Sequence, residues 1–284
     1  MTVLEAIQRS NEFLARKGVE SPRLQVELLL SHLLQMPRLK LYLNFEKTLT
    51  QTEVDRLRTM VQRRGEREPL QHIVGSTSFC GYEFVVSKDV LIPRPETEQL
   101  AEKAWQLLEK RPGAVVLDFG TGSGCLAVTL ALKCPSAEIH AVDISEAALA
   151  IARRNAEAHK VAERVQFHTS DRFSNLPVGL SFDVIVGNPP YIPSGDIAGL
   201  QPEVRDFDPK GALDGGRDGL DYYRQLATEA PERLRPGNTV LLEFGDGQEN
   251  QLSSIFSAMR WKEPSIEKDL SGRARILIAH CVNS

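Results

Sequence analysis

The chain has 284 residues, of which 42% are hydrophobic and 25% are charged, and its formal net charge is −4. This composition is typical of a folded globular protein and excludes a disordered or fibrous one. No apolar run approaches the roughly 18 residues of a membrane span. Glu5, Arg9 and Glu12 interrupt any signal-peptide core. We therefore expect a cytoplasmic protein without membrane contact.

Charge is unevenly distributed along the chain. Residues 1–75 contain twelve Lys and Arg against nine Asp and Glu, and the rest of the chain has a net charge of −7. The net negative charge of the chain after residue 75 argues against general affinity for nucleic acid. The net positive charge of residues 1–75 would help the protein to bind an anionic partner, although a solvated helix surface is the simpler interpretation.

The four cysteines, Cys80, Cys125, Cys134 and Cys281, form no C-x-x-C pair. None has a nearby histidine at metal-ligand spacing. We expect reduced packing residues and no bound metal.

Residues 1–75 have apolar positions at helical spacing and predict a small helical bundle. Two Thr-x-x-Glu sequences, which begin at Thr2 and Thr50, fit capping boxes at helix starts. Ser21 before Pro22 fits an N-cap followed by a proline in the first turn.

Residues 76–93 change to short β-like runs and predict a hairpin linker. The runs are Phe79 to Val86 and Val90 to Ile92, and Gly81 and the pair Lys88-Asp89 break them. A helix from about Thr97 to Leu108 then opens a second domain, residues 94–284.

The second domain alternates strands and helices. Strands are predicted at 115–119, 138–142, 165–168, 182–186, 239–244 and 275–279. Helices are predicted at 126–133, 146–159, 222–234 and 248–259. This alternation is typical of a parallel α/β sheet, in which ligands bind at the carboxyl ends of the strands.

The first of these strands runs into a glycine-rich loop, which reads Gly120, Thr121, Gly122, Ser123 and Gly124. Glycines allow a tight turn and a close approach to a ligand, and the helix start offers free N–H groups. The loop is not a phosphate-binding P-loop, because no Lys-Ser/Thr pair follows it.

Acidic residues follow the next two strands. Asp143 comes 19 residues after Gly124, where a carboxylate can accept both hydroxyl protons of a ribose; the alternative is a helix cap. Asp171 and Arg172 follow the third strand, where an acid can accept from an adenine amino group or cap a helix. Together with the glycine loop, these residues describe an adenosine pocket.

The fourth strand ends in Asn188, Pro189, Pro190 and Tyr191. Asn188 offers a side-chain acceptor, the prolines fix the backbone so that a carbonyl can point into the pocket, and Tyr191 offers a flat face. This set suits a planar NH₂ group and favours S-adenosylmethionine over a nicotinamide cofactor.

At these residues the chain resembles the class I S-adenosylmethionine-dependent methyltransferases with an N-P-P-Y motif. Within them it is most similar to the peptide-chain release factor glutamine methyltransferases. Narrower matches are the stretch from Leu91 to Glu98 and the late glycine-rich stretch from Ala212 to Leu220. The resemblance implies a Rossmann-like, mostly parallel seven-stranded sheet with an N-terminal helical bundle joined by a β-hairpin.

The resemblance also implies an activity: methyl transfer from S-adenosylmethionine, which leaves S-adenosylhomocysteine, to the glutamine of the Gly-Gly-Gln motif in class 1 release factors. Methyl transfer requires no metal. The resemblance also implies a monomer that does not bind nucleic acid directly. Residues 1–75 would recognise the substrate. The cofactor contacts would be Gly120, Thr121, Gly122, Ser123, Gly124, Asp143, Asp171, Arg172 and Asn188.

The same resemblance places the target glutamine at Asn188, Pro189, Pro190 and Tyr191. Asn188 and the Pro189 carbonyl would hold the amide NH₂, and Tyr191 would pack on the amide plane. Three alternatives remain: a glutamine methyltransferase of a ribosomal protein, a nucleic-acid adenine N6-methyltransferase, and a binding module without turnover.

Overall fold

The fold comes from a computed structural model that describes residues 1–257 and 260–282. The chain forms two compact units. Unit 1 comprises residues 1–76 and 201–207, and unit 2 comprises residues 77–200 and the chain from 208 onward. No helix in the described ranges combines the length and apolarity of a membrane span.

The helices are α1 (Val3–Arg16), α2 (Pro22–Leu33), α3 (Arg38–Tyr42), α4 (Gln51–Gly65), α5 (Leu70–Val74), α6 (Pro95–Leu108), α7 (Cys125–Lys133), α8 (Glu146–Ala158), α9 (Pro202–Arg205), α10 (Asp221–Glu229) and α11 (Glu249–Phe256). The strands are β1 (Ser76–Phe79), β2 (Tyr82–Val85), β3 (Val115–Phe119), β4 (Glu138–Asp143), β5 (Val165–Thr169), β6 (Phe182–Gly187), β7 (Leu234–Glu243), β8 (Ser265–Lys268) and β9 (Ala274–His280).

The three predicted helix starts of unit 1 form at the expected residues. The hydroxyl of Thr2 accepts from the N–H of Glu5 at 3.2 Å, and that of Thr50 from Glu53 at 3.3 Å, so both capping boxes are confirmed. Ser21 occupies the predicted N-cap position before Pro22, but without a side-chain cap. Its φ is 47° and its side chain makes no cap hydrogen bond, because capping geometry requires an extended residue at that position.

Helix α9 belongs to unit 1 although it lies far along the sequence. Its Glu203 meets two arginines: Arg64 Nη2 lies 2.8 Å from Glu203 Oε1, and Arg67 Nη2 lies 2.6 Å from Glu203 Oε2. Arg64 is buried. Burial alone would raise the pKa of Glu203, but the hydrogen bonds from Arg67 and Arg64 outweigh it and lower that pKa to about 2.

The hairpin turns at Gly81, one of the two predicted breaks, and its strands differ from the predicted runs. The predicted strand from 79 to 86 contains the turn itself, and residues 90–92 form no strand. Cys80 and Gly81 have φ values of 49° and 80°. Two consecutive left-handed residues make the tight turn that suits a two-residue hairpin, so β1 ends at Phe79.

Unit 2 contains a seven-stranded sheet in the order β5-β4-β3-β6-β7-β9-β8. The first five strands are parallel, and β9 runs antiparallel to both β7 and β8. The predicted fold class is confirmed. The chain winds outward in opposite directions from β3 and β6, so the carboxyl ends of these strands border a topological switch point, where α/β proteins bind ligands.

Some boundaries in unit 2 differ from prediction. The helix predicted to reach residue 234 ends at Glu229, because a short 3-10 turn with Pro231 follows it and β7 begins at Leu234. Strand β8 was not predicted, since it is a short edge strand with charged residues Glu267 and Lys268. Residues 258–259 of the last predicted helix lie outside the described residues.

Apolar side chains fill both faces of the sheet. Phe84, Leu100 and Leu130 are among the fully buried residues on one face, and Phe244 and Phe256 on the other. The cysteines are unpaired. Cys125, Cys134 and Cys281 are buried and Cys80 is partly buried, in agreement with the packing role expected of them.

Candidate active site

The glycine loop follows β3 in a backbone conformation that favours glycine. Gly120, Gly122 and Gly124 have φ values of 73°, 54° and 78°. A Cβ atom added to Gly124 would lie 2.9 Å from the Cβ of Ala152 on α8. The loop therefore needs glycine both for its left-handed turns and for the close approach of α8.

Asp118 lies directly beneath the loop, and the sequence interpretation assigned it no role. It is fully buried, and its Oδ2 accepts from the Thr121 hydroxyl at 2.6 Å and from the Ala127 N–H at 3.0 Å. Burial raises the pKa of Asp118 to about 7. The carboxyl group thus joins the loop to the first turn of α7.

Asp143 faces the glycine loop from the end of β4. Its Oδ2 accepts from the Gly122 N–H at 2.9 Å, and its Oδ1 accepts from the Ser145 N–H at 2.9 Å. Burial raises its pKa. The N-cap of α8 is Ser145, whose hydroxyl accepts from the Ala148 N–H, so Asp143 does not serve as that cap.

Asn155 on α8 holds the loop from behind and was also missed by the sequence interpretation. This fully buried side chain donates to the Ser123 carbonyl at 2.8 Å and to the Val85 carbonyl at 3.0 Å. Its Oδ1 accepts from the Val85 N–H at 2.8 Å. The glycine loop and hairpin strand β2 are thereby joined through one residue.

Asp171 and Arg172 follow β5 and pair with each other. Arg172 Nε lies 3.1 Å from Asp171 Oδ1, and its Nη1 lies 3.1 Å from Glu229 Oε1. Arg172 has a φ of 55°. Both side chains line the same cavity as Asp143.

This cavity has a volume of about 370 Å³ and lies at the carboxyl ends of β3, β4, β5 and β6. Its lining includes eight of the predicted site residues: Gly120, Gly122, Asp143, Asp171, Arg172, Asn188, Pro189 and Pro190. Thr121, Ser123, Gly124 and Tyr191 do not line it. Sequence reasoning missed lining residues that include Val90, Leu91, Ile144, Pro209, Ala212 and Tyr222.

Asn188 borders the cavity and is held from its far side. Its Nδ2 donates to Thr97 Oγ1 at 3.2 Å, and the Thr97 hydroxyl donates to Glu243 Oε2 at 2.7 Å. Thr97 and Glu243 are both buried. Burial raises the pKa of Glu243 to about 7. Thr97 belongs to the Leu91 to Glu98 stretch, whose sequence signal gave no indication of this contact.

The late glycine-rich stretch packs on the backbone of the tetrapeptide from Asn188 to Tyr191. A Cβ atom on Gly215 would lie 2.7 Å from the Pro190 carbonyl oxygen, and one on Gly219 would clash with the Tyr191 carbonyl oxygen. Glycine is required at both positions because the carbonyls leave no room for a side chain. Tyr191 is partly buried, and burial raises its pKa to about 12.

Metal-binding geometry is absent from the part of the chain that the structure describes: it contains no group of three or more His, Cys, Asp or Glu residues that could hold an ion.

Two sequence families match the chain. Residues 5–75 match the PrmC N-terminal domain, and residues 101–198 match the methyltransferase small domain. Among solved structures, a methyltransferase from Pyrococcus furiosus has a TM-score of 0.53 at 21% identity and covers 72% of this chain and 92% of its own. A 16S rRNA methyltransferase from T. thermophilus, determined with AdoMet and guanosine, has a TM-score of 0.51 at 24% identity and covers 72% of this chain and 49% of its own. These two likenesses show the fold alone.

Closer relatives match nearly the whole chain. The release factor glutamine methyltransferase of Geobacter sulfurreducens is 45% identical over 97% of this chain and 95% of its own. The enzyme of the same name from Chlorobaculum tepidum is 43% identical over 90% of this chain and 91% of its own. The chain belongs to the release factor glutamine methyltransferase family.

Proposed function

We propose that the protein transfers the methyl group of S-adenosylmethionine to the side-chain amide nitrogen of the glutamine in the Gly-Gly-Gln motif of class 1 release factors. The observation that carries this proposal is the position of Asn188, Pro189 and Pro190 on the wall of the glycine-loop cavity, in a chain of this family. On this proposal the enzyme acts in the cytoplasm as a monomer, where translation supplies its substrate.

The residues around the cavity suit S-adenosylmethionine. The loop from Gly120 to Gly124 would approach the methionine part, Asp143 would accept from the ribose hydroxyls, and Asp171 or Arg172 would border the adenine. Each Asp143 oxygen already accepts one N–H, and a carboxylate oxygen has a second lone pair for a hydroxyl. The bound cofactor supplies an electrophilic methyl group.

The polar groups of the tetrapeptide suit an amide NH₂. Asn188 uses its own NH₂ to donate to Thr97, so its Oδ1 is the group that would accept from the substrate. The Pro189 carbonyl would accept the second N–H, and the Tyr191 ring would pack against the amide plane. An amide nitrogen is a weak nucleophile, and holding it in line with the methyl group can contribute up to roughly 7–11 kcal/mol in favourable cases.

We assign no side chain that lines this pocket as a strong base for the reaction. We propose that the proton passes from the nitrogen to solvent water after the methyl group has been transferred. Asn188 and Pro189 would stabilise the partial positive charge on the nitrogen because both present acceptor oxygens to its protons.

Unit 1 would recognise the folded factor away from its Gly-Gly-Gln loop. A flexible peptide must be ordered on binding, and a second contact surface offsets that cost. Leu39 and Leu43 at α3 are 75% and 85% exposed, and adjacent exposed apolar side chains are typical of protein-binding surfaces.

Substitution tests this role better than deletion of residues 1–75, which would leave Glu203 without Arg64 and Arg67. We expect Leu39→Ser with Leu43→Ser to lower kcat/KM for the intact factor and to leave that for a Gly-Gly-Gln peptide unchanged. Val178→Ser, at an exposed apolar residue of unit 2, is the matched control. A double variant with the wild-type kcat/KM for the intact factor would contradict recognition through α3.

A substrate comparison tests the function itself. Labelled S-adenosylmethionine would be supplied with purified release factor, ribosomal proteins or DNA in parallel reactions. We expect the release factor to take up label. Label on a ribosomal protein or on adenine alone would support the corresponding alternative, and cofactor binding without transfer to any of them would identify a binding module.

A further inference from the structure

Asn188, Thr97 and Glu243 form a hydrogen-bonded chain that connects the cavity wall to the buried end of β7. The donor–acceptor distances are 3.2 Å from Asn188 Nδ2 to Thr97 Oγ1 and 2.7 Å from Thr97 Oγ1 to Glu243 Oε2. Thr97 and Glu243 are 3% and 1% exposed. Solvent therefore cannot replace either partner. The hydrogen-bonded chain also has a defined direction of donation.

The direction follows from the chemistry of the three groups. When Glu243 is ionised, its carboxylate only accepts hydrogen bonds, so the Thr97 hydroxyl uses its one proton on it. The Thr97 oxygen can then only accept from Asn188, and the carboxamide must turn its NH₂ toward it. The opposite orientation would place two acceptor oxygens against each other.

We propose that Thr97 and Glu243 are positioning residues, which fix the Asn188 carboxamide with its oxygen directed to the substrate amide. This inference rests on the proposed function, because it explains how Asn188 presents an acceptor and not a donor to the glutamine NH₂. A carboxamide free to rotate would present its NH₂ in part of the molecules, and those molecules would repel the substrate.

The surroundings of Glu243 fit a positioning role. Burial disfavours its charge, Glu96 adds repulsion, and Arg275 and the hydrogen bonds of Thr97 and Asn188 offset part of this cost. The main-chain carbonyl of Glu243 accepts from the buried Tyr223 hydroxyl at 2.6 Å. A buried carboxylate is costly for stability, and orienting Asn188 gives this one a function.

Kinetics of three threonine variants test the proposal. Thr97→Val removes the hydroxyl at constant shape, Thr97→Ser retains it, and Thr129→Val removes the hydroxyl of another fully buried threonine, on α7. We expect Thr97→Val to lower kcat about 10-fold, the effect of one lost hydrogen bond, with little change in KM or cofactor affinity. Thr97→Ser should restore most of kcat, and Thr129→Val should match the wild type. Wild-type kcat in Thr97→Val, or an equal loss in Thr97→Ser, would overturn the proposal.

A measurement that does not depend on turnover separates this inference from the proposed function. Isotope-edited NMR of the full-length protein would follow the two Asn188 NH₂ protons in the wild type and in Thr97→Val. We expect the variant to shift both signals and to speed their exchange with solvent. Unchanged signals would overturn the hydrogen-bonded chain, whereas absence of glutamine methylation by the wild-type enzyme would overturn the proposed function.

Discussion

The side-chain amide of Gln248 donates a hydrogen bond to the main-chain carbonyl oxygen of Tyr191 at 2.9 Å. The other end of the same amide, Gln248 Oε1, accepts from the Gly245 N–H at 2.9 Å. Gln248 is buried. One side chain thus links the segment after β7 to the backbone of the tetrapeptide that borders the cavity.

Replacing Gln248 by glutamate should loosen the tetrapeptide. The carboxylate can still accept from Gly245 but has no N–H for the Tyr191 carbonyl, which is left unsatisfied. We expect the free energy of unfolding in urea to fall by about 1–3 kcal/mol and kcat to decrease. Cofactor affinity should equal that of the wild type, because Gln248 does not line the cavity.

Gln8→Glu is the control for added charge, since Gln8 is exposed on α1. A Gln248→Glu protein with the stability and kcat of the wild type would show that the contact with Tyr191 has no such role.

Asp143→Ala tests the proposed ribose contact. Loss of hydrogen bonds to a charged group should weaken cofactor binding by about 1–3 kcal/mol in calorimetry. Asp196→Ala, at an exposed position, should bind as the wild type does. A folded Asp143→Ala protein with undiminished affinity would remove Asp143 from the cofactor site.

The proposed role of Glu243 predicts an acid limb in the pH profile of kcat. Burial raises the pKa of Glu243 to about 7. Only the ionised carboxylate is restricted to accepting from Thr97, because the protonated form can also donate to it. We expect kcat to fall as the pH falls through about 7. Glu96, Arg275 and Tyr191 also face this region, and burial raises the pKa of Tyr191 to about 12, outside that range.

The stability of the folded protein depends on pH in the opposite direction to kcat. Because the pKa of Glu243 is raised in the folded state, the stability contributed by its protonated form is lost as the pH rises through about 7. Glu243→Gln should abolish the acid limb of kcat and this part of the stability profile together. An acid limb that persists unchanged in Glu243→Gln would assign it to another group.

Glu203 predicts a different pH dependence in unit 1. Its pKa is lowered to about 2, so its stabilising contribution is present at neutral pH and is lost as the pH falls from its ordinary value toward 2. Glu203→Gln should lower the free energy of unfolding by on the order of 3 kcal/mol at neutral pH, since it leaves buried Arg64 without its partner.

The matched control for Glu203 is Asp55→Asn, because Asp55 pairs with Arg58 at the surface, where ion pairs contribute little. Urea unfolding at several pH values checks both variants. Equal, small effects of the two substitutions would show that Glu203 stabilises unit 1 no more than a surface pair does.

Features with a local signal were predicted well from the sequence. The strands β3, β4 and β6 are short runs of mostly buried residues. The glycine loop and Asp143 lie at the ends of β3 and β4, so position along the chain was enough to bring them together. Gly81 was predicted as a break, but the strand bounds around it were wrong because the turn at Cys80 and Gly81 lies inside an apolar run. Similarly, the end of α10 was misplaced because its helical pattern continues into the 3-10 turn.

The supporting contacts had no local signal. Asn155 meets Ser123 and Val85, and Glu243 meets Thr97, across separations that the sequence does not reveal. Glu203 joins unit 1 from more than a hundred residues away. In each case a single polar residue is buried against partners from another element, and only the tertiary fold identifies those partners.

Mass spectrometry of the methylated substrate tests the central claim most directly. Intact release factor would be incubated with isotope-labelled S-adenosylmethionine and the wild-type enzyme or Asn188→Ala, and its peptides would then be fragmented. We predict one labelled methyl group on the side-chain nitrogen of the Gly-Gly-Gln glutamine, formed with a much lower kcat by Asn188→Ala. An unlabelled glutamine, a methyl group on another residue, or equal rates for the two enzymes would contradict the account.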